Sequence, residues 1–145
     1  MHSYTRTIPV DGAGMALHGG TPATAERVPA LVVVMHAPGV DTFIHSIVER
    51  LGRAGYAAVA PDLYHRQTGH APPLERMRRL KDREIIADVE AAIGYLREHP
   101  QVDPERIGIL GFCMGGRIAY MMAAVSRALR ATVASGFRAP ALGQQ

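Results

Sequence analysis

The sequence contains a single cysteine, Cys113, among 145 residues. That excludes an internal disulfide and suits a reducing compartment, so a cytoplasmic location is expected. No apolar run approaches the length of a membrane span, and Met1-His-Ser-Tyr-Thr-Arg6 lacks the apolar core of a secretion signal. No membrane partner is expected. Charge is modest: Lys+Arg 16 against Asp+Glu 13 gives a net +3. Outside Arg76 to Arg83 the basic residues are dispersed, and no aromatic residues interleave with them, which argues against nucleic-acid binding. There is no close His/Cys/Asp cluster at ligand spacing and no phosphate-cradling motif, so neither a metal nor a cofactor is expected. Internal repeats and low-complexity segments are also missing. After Cys113 the chain has no Asp, no Glu and no His.

What is present describes one globular domain. The hydrophobic fraction is 48% with 20% charged residues, and the length suits a single core. Tyr4 to Val10 alternates weakly, Asp11 to Gly14 reads as a turn, and Met15 to His18 returns as a second strand of a hairpin. Gly19 to Pro29 reads as a loop. Ala30 to Met35 is the strongest strand, apolar on both faces, and it ends at the loop His36-Ala37-Pro38-Gly39-Val40. Loops past the carboxyl ends of parallel strands are where such sheets place their sites.

Asp41 predicts the cap of a helix with Phe43, Ile44, Ile47, Val48 and Leu51 on its apolar face, closed by Gly55. Tyr56 to Ala60 is a further strand, and Leu74, Met77 and Leu80 mark a short helix. Asp82 opens a second long helix carrying Ile85, Ile86, Val89, Ala92, Ile93 and Leu96. Pro100 and an Asp103-Pro104 turn end it. Ala131 to Ser135 reads as the last strand, and residues 139–145 as a disordered tail. Strands alternating with helices imply an α/β fold: a mostly parallel sheet with helices on both faces.

One stretch carries chemistry. Ile107 to Leu110 reads as a buried strand, Gly111-Phe112-Cys113-Met114-Gly115 as a sharp turn, and Arg117 onward as a helix. Strand, glycine-flanked turn, helix is the setting in which G-x-S-x-G forms a nucleophile elbow, here with cysteine at its centre. The elbow strains the nucleophile's backbone, and only small residues fit two positions either side of it, hence Gly111 and Gly115. The Met114 N–H, in the first turn of the following helix, would face an anion forming beside the sulfur, and a helix N-terminus favours thiolate over thiol. A nucleotide-binding turn would need G-x-G-x-x-G, which the glycines at 111, 115 and 116 do not give.

Gly111-Phe-Cys-Met-Gly-Gly116, with Ala60-Pro-Asp-Leu-Tyr64 upstream and Ala37-Pro-Gly-Val40 after the first buried strand, resembles the dienelactone hydrolase family of α/β-hydrolases. The resemblance covers roughly residues 28 to 135. It implies an α/β-hydrolase fold, incomplete on its C-terminal side, and a Cys-His-Asp triad that hydrolyses a small ester or lactone through an acyl-cysteine. It also implies an oxyanion hole made by the Ala37 and Met114 N–H groups. The chain departs from the family in having His36 where a glutamate is common, and in lacking the later acid and histidine.

His36 is therefore the candidate base, against the plainer reading of a loop histidine bonded to backbone. His2, His18, His45 and His99 read as solvated. His65, His70, Arg66 and Arg83 are read first as solvated, with a substrate contact as the alternative. Two functional readings stand: a thiol hydrolase, or a truncated, non-catalytic remnant of one. The last strand would leave an exposed sheet edge, so self-association is expected.

Overall fold

The computed structural model describes residues 1–136; the tail expected at 139–145 lies outside the described residues. Two strands, β1 (His2–Val10) and β2 (Ala13–Thr21), form an antiparallel hairpin. Asp11 and Gly12 make its two-residue turn, both with positive φ (51° and 81°), as a type I′ turn requires. β2 is longer than the sequence pattern suggested. Its pairing with β1 continues to Thr21, where a loop was expected from Gly19.

The parallel part of the sheet consists of β3 (Val28–Val34), β4 (Ala57–Pro61), β5 (Val102–Phe112) and β6 (Ala131–Ser135). The strand order is β1-β2-β4-β3-β5-β6, with β2 antiparallel to β4 and β4, β3, β5, β6 mutually parallel. The expected Asp103-Pro104 turn instead lies within β5. Pairing jumps from Val28↔Val102 to Ala30↔Ile107, so residues 103–106 bow out of the ladder. Asp103 stabilises that bulge by accepting from the Glu105 N–H at 3.0 Å.

Among the described residues the helices are α1 (Thr42–Arg53), α2 (Pro73–Arg78), α3 (Asp82–Glu98) and α4 (Met114–Val125). Asp41 caps α1 as predicted, its Oδ1 accepting from the Ile44 N–H at 3.1 Å. Adjacent residues of β2 show how the layers are arranged, because successive side chains of a strand face opposite sides. Gly20 faces Val48 of α1. Gly19 lies under the Tyr4 ring, whose hydroxyl meets that of Tyr95 on α3. Thus α1 covers one face, and α3, with α4 beside it, covers the other. The core between these layers contains Val32, Val33, Val34, Val59, Ile107 and Ile109, all fully buried. Burial on both faces explains why these strands read as continuous apolar runs. At the far edge, all five residues of β6 are exposed. No helix among the described residues is long and apolar enough to cross a membrane.

A charged cluster ties the segment after β4 to α3. Asp88 is 1% exposed, yet it sits on the apolar stripe of α3. Its Oδ1 lies 3.0 Å from His65 Nε2, and its Oδ2 accepts from Arg66 Nη1 at 2.9 Å. Arg66 also reaches Asp11 in the hairpin turn and Glu84 on α3. His65 and Arg66 are therefore not the solvated residues the sequence suggested: burial is affordable here because each charge has a partner. Removing Asp88 would leave those groups uncompensated. Asp88→Ala is expected to lower stability by about 3 kcal/mol, measured as a fall in the urea midpoint at unchanged slope. A loss below about 1 kcal/mol would show that Asp11 and Glu84 suffice for Arg66.

Candidate active site

The turn between β5 and α4 has the geometry of an elbow. Cys113 adopts φ 54°, ψ −116°, a left-handed conformation that non-glycine residues rarely tolerate. Its N–H donates to the Ser135 carbonyl at 2.7 Å, and its carbonyl accepts from the Arg117 N–H at 3.2 Å. The turn is thus held by β6 on one side and by the helix on the other. The flanking glycines are sterically required. A Cβ on Gly111 would collide with the Gly115 carbonyl, and one on Gly115 would lie 2.5 Å from the Val34 oxygen and 2.7 Å from that of Met35. Gly136, at φ 75°, passes so close that a Cβ there would sit 3.1 Å from Cys113 Sγ. The sulfur-bearing residue is exposed, and Met114 is the first residue of α4, among the N–H groups a helix leaves unpaired.

The second part of the site is the loop after β3. Gly39, at φ 94°, turns the chain so that its N–H donates to the His36 carbonyl at 2.8 Å. The Tyr64 hydroxyl donates to the Ala37 carbonyl at 2.6 Å, fixing the peptide plane beyond Ala37, and Arg76 lies over the Tyr64 ring at 4.5 Å. His36 Nε2 is 2.9 Å from Asp41 Oδ1. That contact does not meet the angular requirement of a hydrogen bond. Burial pushes the Asp41 carboxyl up, but the His36 ring and the Ile44 N–H outweigh it and hold the group below the usual carboxylate range.

These two parts meet in one cavity of about 360 Å³ lined by His36, Phe43, Phe112, Cys113, Ser135 and Gly136. Its walls are aromatic, with Phe43 5.3 Å from the His36 ring and 5.2 Å from Phe112, edge to face. The expected pair, Cys113 and His36, lines one cavity; Ala37 follows His36 in the loop after β3, and Met114 follows Cys113 as the first residue of α4. Sequence reading missed Asp41 as the partner of His36, and it assigned Phe43 to the core. Phe43 is 42% exposed and forms a wall of the cavity. His18 lies on β2, stacked on His45 with ring centroids 3.8 Å apart, and is not solvated: both its ring nitrogens are buried without a partner among the described residues. His70 and Arg83 are exposed, as expected. Among the described residues no group of three His, Cys, Asp or Glu side chains could hold a metal ion.

A sequence model described as the dienelactone hydrolase family matches residues 15–137. The chain belongs to that family. It is 38% identical over 125 residues to a carboxymethylenebutenolidase of Pseudomonas putida, covering 79% of this chain and 52% of that protein. A solved structure from Klebsiella pneumoniae, assigned as a dienelactone hydrolase, superposes with a TM-score of 0.84 at 30% identity, over 97% of this chain and 63% of the other. An α/β-hydrolase from Penicillium sp. superposes at a TM-score of 0.73 with 18% identity, covering 90% and 45% of the two chains. The fold is that of the α/β-hydrolases. The dienelactone hydrolase family chain described here spans about half the length of the curated relatives it matches.

Two predictions follow from this geometry. Gly115→Ala should destabilise the family's elbow, since the new methyl meets two β3 carbonyl oxygens that cannot retreat; a loss of about 2 kcal/mol or more and slower alkylation of Cys113 by iodoacetamide are expected. Wild-type alkylation kinetics in that variant would overturn the steric account. For Asp41, a folded-state pKa below the unfolded one means that its stabilisation is present above about pH 4 and is lost as the pH falls through the folded value. Asp41→Asn keeps an acceptor for the helix cap but removes the charge. Its deficit, about 1 kcal/mol or less, should be present at about pH 5 and vanish in acid, as read from urea unfolding. A deficit that grows with acidity would contradict the assignment.

Proposed function

We propose that the chain carries a thiol hydrolase site for a small ester or lactone, with Cys113 as nucleophile and His36 as its base. The observation that carries this reading is the strained Cys113 turn opening into the same cavity as His36. Chemically, His36 would take the thiol proton while the sulfur attacks the carbonyl carbon. The carbonyl electron pair would move to oxygen, where the Ala37 and Met114 N–H groups are the candidate donors. Collapse would expel the alkoxide, which regains a proton from His36, and water would then cleave the acyl-cysteine to release a carboxylate and restore the thiol. Asp41 is the positioning residue for His36 in this scheme, a role taken here by a residue that precedes the nucleophile in the chain. A cavity of this size with aromatic walls suits a small, flat, unsaturated substrate. The single cysteine supports a cytoplasmic setting.

The second reading is a non-catalytic chain. Stopped-flow hydrolysis of p-nitrophenyl acetate separates the two. The hydrolase reading expects a burst as the acyl-cysteine accumulates, abolished by Cys113→Ala and slowed by His36→Ala. Asp41→Asn should slow it at least about tenfold and alter its pH profile; loss of the orienting acid costs serine hydrolases about ten-thousandfold. A burst rate indifferent to His36→Ala between pH 6 and 8 would remove His36 as the base. No reaction above buffer in any form would establish the non-catalytic reading.

A further inference from the structure

A second cleft lies at the other end of the sheet. β1 runs parallel to β4, because both are antiparallel to β2, so its first residues lie at the sheet's amino-terminal end while Cys113 follows the carboxyl end of β5. There a cleft of about 610 Å³ opens between β1 and the C-terminal turn of α3. His2, Tyr4 and Arg6 are alternate residues of β1 and so share one face, and Tyr95 and His99 line the cleft from the helix side. Its volume falls in the range of small-molecule sites.

Its chemistry is one-sided. Tyr95 donates its hydroxyl to Tyr4 at 3.0 Å, which leaves the Tyr4 hydrogen to donate elsewhere. Burial pushes the Tyr4 phenol up, so it stays neutral. The Gln101 N–H donates to His99 Nδ1 at 3.1 Å, which places the hydrogen of the neutral ring on Nε2. Burial first, and then Arg6, holds His99 below its ordinary value and so neutral. No carboxylate pairs with Arg6 among the described residues, although Glu98 sits on the same rim. Arg6, Tyr4 and His99 thus line one space as donors, with the Glu98 carboxylate on its rim, beside a His2–Tyr4 stack and an edge-to-face Tyr95–His99 pair. Gly19 shapes it as well: a Cβ there would strike the Tyr4 ring, which lies flat across β2 only because that position has no side chain.

We propose that this cleft is a binding site for a small aromatic carboxylate, its anion held by Arg6, Tyr4 and His99 and its ring packed on Tyr95 and the His2–Tyr4 stack. The site is independent of the cysteine. Calorimetric titration with sodium benzoate tests it, with benzamide and acetate as probes that lack the charge and the ring respectively. Saturable benzoate binding in the millimolar range is expected, weakened at least about tenfold by Arg6→Gln and in each of the two control ligands, and unchanged in Cys113→Ala. Arg6 is exposed, so its replacement should leave the fold intact, which circular dichroism is to check for each variant. No saturation by about 50 mM, a concentration beyond the millimolar affinity expected of so small a ligand, would overturn the proposal. So would equal affinity in Arg6→Gln, equal affinity for acetate or benzamide, or loss of binding in Cys113→Ala.

Discussion

The approach of the Gly115 backbone to the Val34 and Met35 carbonyls is the contact on which the rest of the site depends. It seats the N-terminus of α4 directly on the end of β3. Because β3 and β5 are neighbours in register through Val34↔Gly111, the residues just past each strand must emerge side by side. Cys113 and His36 share a cavity for that reason, although most of the domain separates them in sequence. The missing side chain at Gly115 therefore does more than relieve strain in one turn. It sets the distance between two layers, and interiors packed at crystal density offer no slack for a methyl group to be absorbed.

The parts of this arrangement that were legible in the sequence are those fixed by local rules. Glycines two positions either side of Cys113, a doubly apolar run before His36 and an Asp in front of an amphipathic helix each state their structure within a few residues. The rest needed partners from elsewhere. Asp41 was recognisable as a cap, but its second contact depends on the Gly39 turn folding His36 back toward it. Phe43 fits the helical period of α1, and periodicity alone assigned it to the core; the first turn of α1 borders the site, so that face meets a cavity. His65 and Arg66 looked solvated because their partner is on α3. A signal existed there: Asp88 falls three residues after Ile85 and four before Ala92, a charge on an otherwise apolar stripe, and buried charges require partners.

The strand boundaries erred for a related reason. Gly19 and Gly20 suggested a loop by composition, yet both lie in β2, where each lets a bulkier group come close: the Tyr4 ring on one face and Val48 on the other. Glycine within a strand marks close approach as readily as it marks an ending. Asp103-Pro104 misled in the same way, since its turn chemistry is real but is spent on a bulge inside β5.

Asp41 joins the two halves of the argument. As a cap it satisfies a backbone donor of α1, and as a counter-charge it lies against the ring that shares a cavity with the sulfur. One carboxylate oxygen, Oδ1, makes both contacts, so the position of His36 is tied to the start of α1. Tyr64 does the same for Ala37 from the β4 side, through a single hydroxyl. A loop held at both ends by groups from separate elements has few conformations left to it. Both loops beside Cys113 are thus fixed by side chains that precede it in the chain, Asp41 and Tyr64.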